Sequence, residues 1–216
     1  MFIGHYALAF AGKKAAPRVS LGWLVAAVSF LDLLWPVLLL TGVERVGARP
    51  GGQAFLTLEF TAYPWSHSLA LALVWSMLLG GLYGAWKRDG RGALVIGLGV
   101  LSHWILDWIT HVPDLPVWPY GPVAGLSLWT STAATLVVEG TMFAVGLGLY
   151  SRLTRPRNAT GRWALVGFVA LLLVAYLGST FGPPPPSMQA VAWTTLLCWL
   201  FPFWAAWIDR NRELAV

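Results

Sequence analysis

The chain has 216 residues, of which 57% are hydrophobic and only 11% charged, with fourteen tryptophans and a mean hydropathy of +0.67. An ordinary soluble domain carries about a quarter charged residues, so this composition excludes one and places the chain in lipid. The net charge of +5 sits in short basic clusters beside apolar runs, as topogenic charge does, which argues against nucleic acid as a partner.

Crossing a bilayer as a helix takes about 20 apolar residues. By that measure about six spans are expected, near 20–40, 67–86, 92–111, 126–150, 163–181 and 191–208. The opening segment 1–11 is apolar but too short to span, and reads as a re-entrant or interfacial helix. No basic n-region precedes the first long apolar run and Asp32 interrupts it, so no cleaved signal is expected. The fold class is therefore all-α, a polytopic helical bundle forming a single integral membrane domain over 1–216. Residues 1–150 would carry the polar site, and 151–216 supply two C-terminal spans.

Alternate connections differ sharply in charge. Lys13, Lys14, Arg18, Lys87, Arg88, Arg91, Arg152, Arg155, Arg157, Arg162, Arg210 and Arg212 fall on one side, against only Arg45 and Arg49 on the other. The positive-inside rule places the first set, and both termini, in the cytoplasm. The connections 43–66 and 112–125 then face outward, the second proline-rich and aromatic. The glycines Gly80, Gly81, Gly97 and Gly99 read as close helix-packing positions. The lone Cys198 lies in an apolar run and reads as a packing residue.

Of nine carboxylates, Asp32, Asp107 and Glu139 lie within apolar runs, and the four histidines His5, His67, His103 and His111 lie in or beside such runs. His103, Asp107 and His111 are spaced i, i+4, i+8 and share one helix face. Measured from His111 at the outer end, Asp107 lies ~6 Å deep and His103 ~12 Å deep. Asp32 lies ~12 Å and Glu139, counted from Leu126, ~18 Å below the outer face. His67 opens the second span, and His5 joins only if the N-terminal segment folds back into the membrane. Several carboxylates and imidazoles in one intramembrane cavity suit a divalent metal, zinc above all, since a cation turns costly buried charge into ligands. The candidate ligands are His5, Asp32, His67, His103, Asp107, His111 and Glu139. Asp107 or Asp32 could bridge two ions or act as general base.

These residues carry a resemblance. Gly4-His5, Asp32, Ser66-His67-Ser68-Leu69 and Ser102-His103-Trp104-Ile105-Leu106-Asp107 with His111 resemble the YdjM-like family of bacterial inner-membrane proteins, read as metal-dependent hydrolases. That family in turn is similar to zinc-dependent phospholipase C, an all-helical fold with a His and Asp ligand cluster. The resemblance implies ligand places for His5, Asp32, His67, His103, Asp107 and His111, with Glu139 at a final H-x-x-x-E. Here the residue four before Glu139 is Thr135, which favours one or two ions over three.

The expected function is a membrane-embedded hydrolase of a lipid or lipid-linked phosphoester in the bacterial inner membrane, acting at the outer half of the bilayer. Two rivals stand beside it. A metal-ion or proton transporter would use the same intramembrane His and Asp, although these favour one leaflet. A non-catalytic scaffold would use the cluster only to fix helix packing. A serine hydrolase is disfavoured, because Ser66, Ser68 and Ser102 neighbour histidines in sequence without a nucleophile-elbow pattern. Oligomeric state is open at this level.

Overall fold

The computed structural model describes residues 1–52 and 54–215. Among them, five helices are long and apolar enough to cross a membrane, or six if one bent pair counts as a single span. In chain order the helices are α1 (Ile3–Ala15), α2 (Leu21–Val28), α3 (Phe30–Leu40), α4 (Pro64–His67), α5 (Leu69–Lys87), α6 (Gly90–Thr110), α7 (Thr132–Leu153), α8 (Ala159–Phe181), α9 (Met188–Leu196) and α10 (Leu200–Arg210). A 3-10 turn, Leu197–Trp199, joins the last two into one 23-residue span.

The helix starts follow local chemistry. Ser20, Ser68, Asp89, Ser131, Asn158 and Ser187 each accept a backbone N–H from the first turn of the helix they precede. Two boundaries depart from the sequence reading. The span expected over 126–150 begins only at Thr132, because Ser131 caps it and 128–130 form a 3-10 turn. The span expected over 20–40 is broken at Ser29, where α2 and α3 meet at 56°. The Ser29 hydroxyl donates to the Val25 carbonyl at 2.6 Å, bonding back into the helix it ends.

Helix α1 is the buried centre. It packs against α7, α2 and α6, while α5 lies against α6 and shows Met77, Leu82 and Trp86 outward. The α5–α6 contact is close enough to need glycine: a Cβ on Gly80 would lie 2.8 Å from the Ala93 carbonyl oxygen. Gly97 and Gly99 also face neighbours, whereas a Cβ on Gly81 would meet nothing within 4 Å. The packing expected of these glycines therefore holds for three of the four named.

Three small antiparallel ribbons finish the ends. β1 (Arg45–Ala48) pairs with β2 (Leu58–Ala62), and β3 (Leu115–Pro116) with β4 (Val123–Ala124). At the opposite end β5 (Thr154–Pro156) pairs with β6 (Arg212–Leu214). The basic segments gather at that second end: Arg91 donates to the Ala15 carbonyl, and Lys13 pairs with Asp209 at 2.7 Å. The first two ribbons cover the end that holds the histidines.

Candidate metal centre

Five of the expected residues converge there. His67 Nε2 lies 3.5 Å from Asp32 Oδ1 and 3.8 Å from Asp107 Oδ2. His103 Nε2 lies 3.2 Å from Asp107 Oδ2 and 3.7 Å from Asp32 Oδ1. His5 Nε2 lies 3.1 Å from Asp107 Oδ1, with its ring stacked on that of His103 at 3.8 Å. The atoms form two overlapping groups, Asp32–His67–His103 and His5–His103–Asp107, each within 4.8 Å. Ligands held at ~2.1 Å by one zinc ion stand no more than ~4.2 Å apart, and the imidazole–carboxylate separations of 3.1–3.8 Å fall within that limit. Asp107 turns one oxygen to each side, the disposition of a bridging carboxylate.

The elements explain the convergence. His103 and Asp107 share a face of α6 at i, i+4. Asp32 sits in the first turn of α3, aimed by the break at Ser29. His67 ends α4, where Ser68 turns extended before α5 begins. His5 is carried in by the half-length helix α1, so the N-terminal segment does fold back among the spans. Met1 is buried beside Asp107, where its nitrogen contacts Oδ1 and, at 3.1 Å, Thr110 Oγ1. Met1 packs at the histidine end, and the basic pair Lys13–Lys14 at the other end of α1.

Outer partners orient the rings. His103 Nδ1–H donates to the Val28 carbonyl at 2.7 Å, which turns a buried Nε2 with no hydrogen-bond partner towards the carboxylates. Ser66 Oγ donates to Glu44 Oε2 at 2.6 Å, so it accepts from His67 Nδ1–H at 2.7 Å. Glu44 Oε1 accepts the Trp65 and Ser66 backbone N–H groups, each at 2.8 Å. Both imidazoles are thereby fixed in the tautomer that presents Nε2 to the carboxylates, as metal-ligating histidines are.

His111 and Glu139 lie beside this centre and in neither group. His111 Nδ1–H donates to Asp114 Oδ1 at 2.8 Å, and its ring lies 4.3 Å from that of Trp129 and 5.1 Å from Phe60. Tyr63 donates to the same Asp114 oxygen at 3.2 Å. Burial, with Asp114 beside it, holds the Tyr63 phenol protonated well above its usual range. Glu139 Oε2 accepts the Phe2 and Gly4 amides at 2.8 and 3.2 Å, capping α1, while Oε1 is buried without a partner. With α7 starting at Thr132, Glu139 stands ~10 Å below the outer end, level with His103 rather than deeper. Thr135, where the phospholipase C pattern has His, spends its hydroxyl on the Leu128 and Ser131 carbonyls.

Sequence reasoning missed Val28, Glu44 and Asp114, and named Ser66 without its role in orienting His67. Glu44, an acid in an outer connection, is only 2% exposed in the fold, and its place in the sequence does not announce that.

Comparison with known proteins adds one match. The model of the YdjM inner membrane protein family covers residues 64–182, which include His67, His103, Asp107, His111 and Glu139. Nothing matches among curated proteins or among solved structures. Over half its length, then, and across most of its intramembrane polar residues, this chain belongs to the YdjM inner membrane protein family.

Proposed function

We propose that the protein is a metal-dependent hydrolase of lipid or lipid-linked phosphoesters, working in the outward half of a bacterial inner membrane with its basic end in the cytoplasm. The observation that carries this reading is the set of buried His67, His103 and Asp107 with partly exposed Asp32, whose facing atoms stand 3.2–3.8 Å apart while His103 Nε2 has no hydrogen-bond partner. Two carboxylates facing two buried imidazoles at that spacing are held together well by a shared cation.

Asp32, His67, His103 and Asp107 would hold a first ion, zinc by the chemistry of the donor set, and His5 with Asp107 Oδ1 would complete a second position. A divalent ion there would lower the pKa of water and neutralise charge developing on phosphorus. The remaining work belongs to the chain. Val28 and the Glu44–Ser66 pair keep the imidazoles turned inward. Asp32, with 32% of its side chain exposed against 4% for Asp107, is the carboxylate open to an entering water and takes its proton. Water oxygen bonds to phosphorus, the P–O bond to the lipid alcohol breaks, and a proton returns to the departing alkoxide.

Elemental analysis of the purified protein tests the site. Wild type should retain zinc or a similar ion through gel filtration, and His103→Ala and Asp107→Asn should lose it. Equal metal in all three, or none in any, overturns the reading. Turnover of phospholipid or polyprenyl-phosphate substrates, set against ion flux in liposomes, separates the enzyme from a transporter.

A further inference from the structure

A cavity of about 670 Å3 lies beside the metal centre, between α8, the α9–α10 span and the 54–60 segment of the outer hairpin. That volume falls within the range of small-molecule sites. Its wall is mostly apolar, including Ala175, Cys198, Phe201 and Trp204, with a few serine and threonine residues such as Thr195. Leu171, Leu197 and Leu200 also line it, and they are 38%, 60% and 60% exposed on helices that cross the membrane, so the mouth opens to lipid.

The inner end reaches the edge of the site at Met1 and His111. Phe60 and Trp129 line the cavity and also pack on the His111 ring. Phe55 lies between Trp129 and Tyr176, with ring centroids at 6.3 and 5.6 Å. The Trp129 indole N–H and the Tyr176 hydroxyl are both buried without a hydrogen-bond partner. An apolar cavity whose inner end borders a carboxylate–imidazole centre suits a ligand with one polar linkage and one long tail.

We infer that this cavity takes one acyl chain of a membrane phospholipid, entering sideways from the bilayer, and brings the polar linkage to Trp129 at the edge of the metal centre. Its identification as substrate rests on the hydrolase reading, whereas the binding of the chain does not. The occupant is a bilayer lipid because the rim lies on the membrane-facing surface of α8 and α10, where acyl chains are the solvent.

The test uses full-length protein in phosphatidylethanolamine–phosphatidylglycerol nanodiscs containing a phospholipid with a diazirine at the end of one acyl chain. After illumination, peptide mapping should place crosslinks on the segments holding Ala175, Cys198 and Trp204. Ala175→Trp and Thr195→Leu, each monodisperse on elution, should cut that yield about tenfold, the change expected for roughly 1.4 kcal/mol of lost chain binding. Metal content should be unchanged in both. Crosslinks spread evenly over outward residues such as Met77 and Leu82, or equal yields in the variants, would overturn the inference. So would a dimer in native mass spectrometry with these peptides unlabelled, since a second copy would then fill the cavity. Crosslinks at the cavity in a protein that holds no metal would sustain the chain site while removing the hydrolase reading.

Discussion

Glu44 has no place among the candidate ligands, yet it governs one of them. Its two oxygens are saturated by the Trp65 and Ser66 amides and the Ser66 hydroxyl, and the hydroxyl in turn fixes His67. Removing such an outer partner typically costs 10–100-fold in metal affinity. Ser66→Ala should therefore weaken zinc binding about tenfold or more in competition with a chelator. His111→Ala should leave metal stoichiometry intact, because that ring is turned to Asp114 and lies in neither ligand group. The spacing of His103 and Asp107 was legible in the sequence, since i, i+4 geometry is local to a helix. The roles of Glu44 and Val28 were not legible, because Ser66 Oγ meets Glu44 across 22 residues and His103 meets Val28 across 75.

Helix positions were readable to within a few residues, and the exceptions have local causes. Serine and threonine crowd the stretch before Thr132, and one of them, Ser131, caps α7. Hydropathy alone runs straight through such a cap. The break at Ser29 is a second such case, concealed inside an apolar run. Glycine packing was readable in kind but not by position. Gly80→Val should lower the melting temperature in detergent, by about 1–3 kcal/mol of overpacking against α6. Gly81→Ala, facing open space, should change it little.

Across the whole molecule the two ends hold different chemistry. Carboxylates and imidazoles meet at the hairpin end, while at the basic end Lys13 bonds Asp209 and the Val19 carbonyl, and Arg212 bonds Thr154 and Gly161. Breaking a buried pair by removing one partner costs about 3–5 kcal/mol. Asp209→Ala should thus destabilise the bundle by roughly that amount in thermal denaturation. Metal bound per folded molecule should stay the same, because Asp209 is at the other end from His103.

The seating of α1 has a consequence for biogenesis. Its amides at Phe2 and Gly4 are held by Glu139, more than a hundred residues later in the chain. A nascent polypeptide that has emerged only as far as α6 already carries His5, Asp32, His67, His103 and Asp107, but lacks the group that caps the helix bearing His5. Helix α1 is thus made before α6 but locked after it, and the ligand set closes only after α7 has entered the membrane.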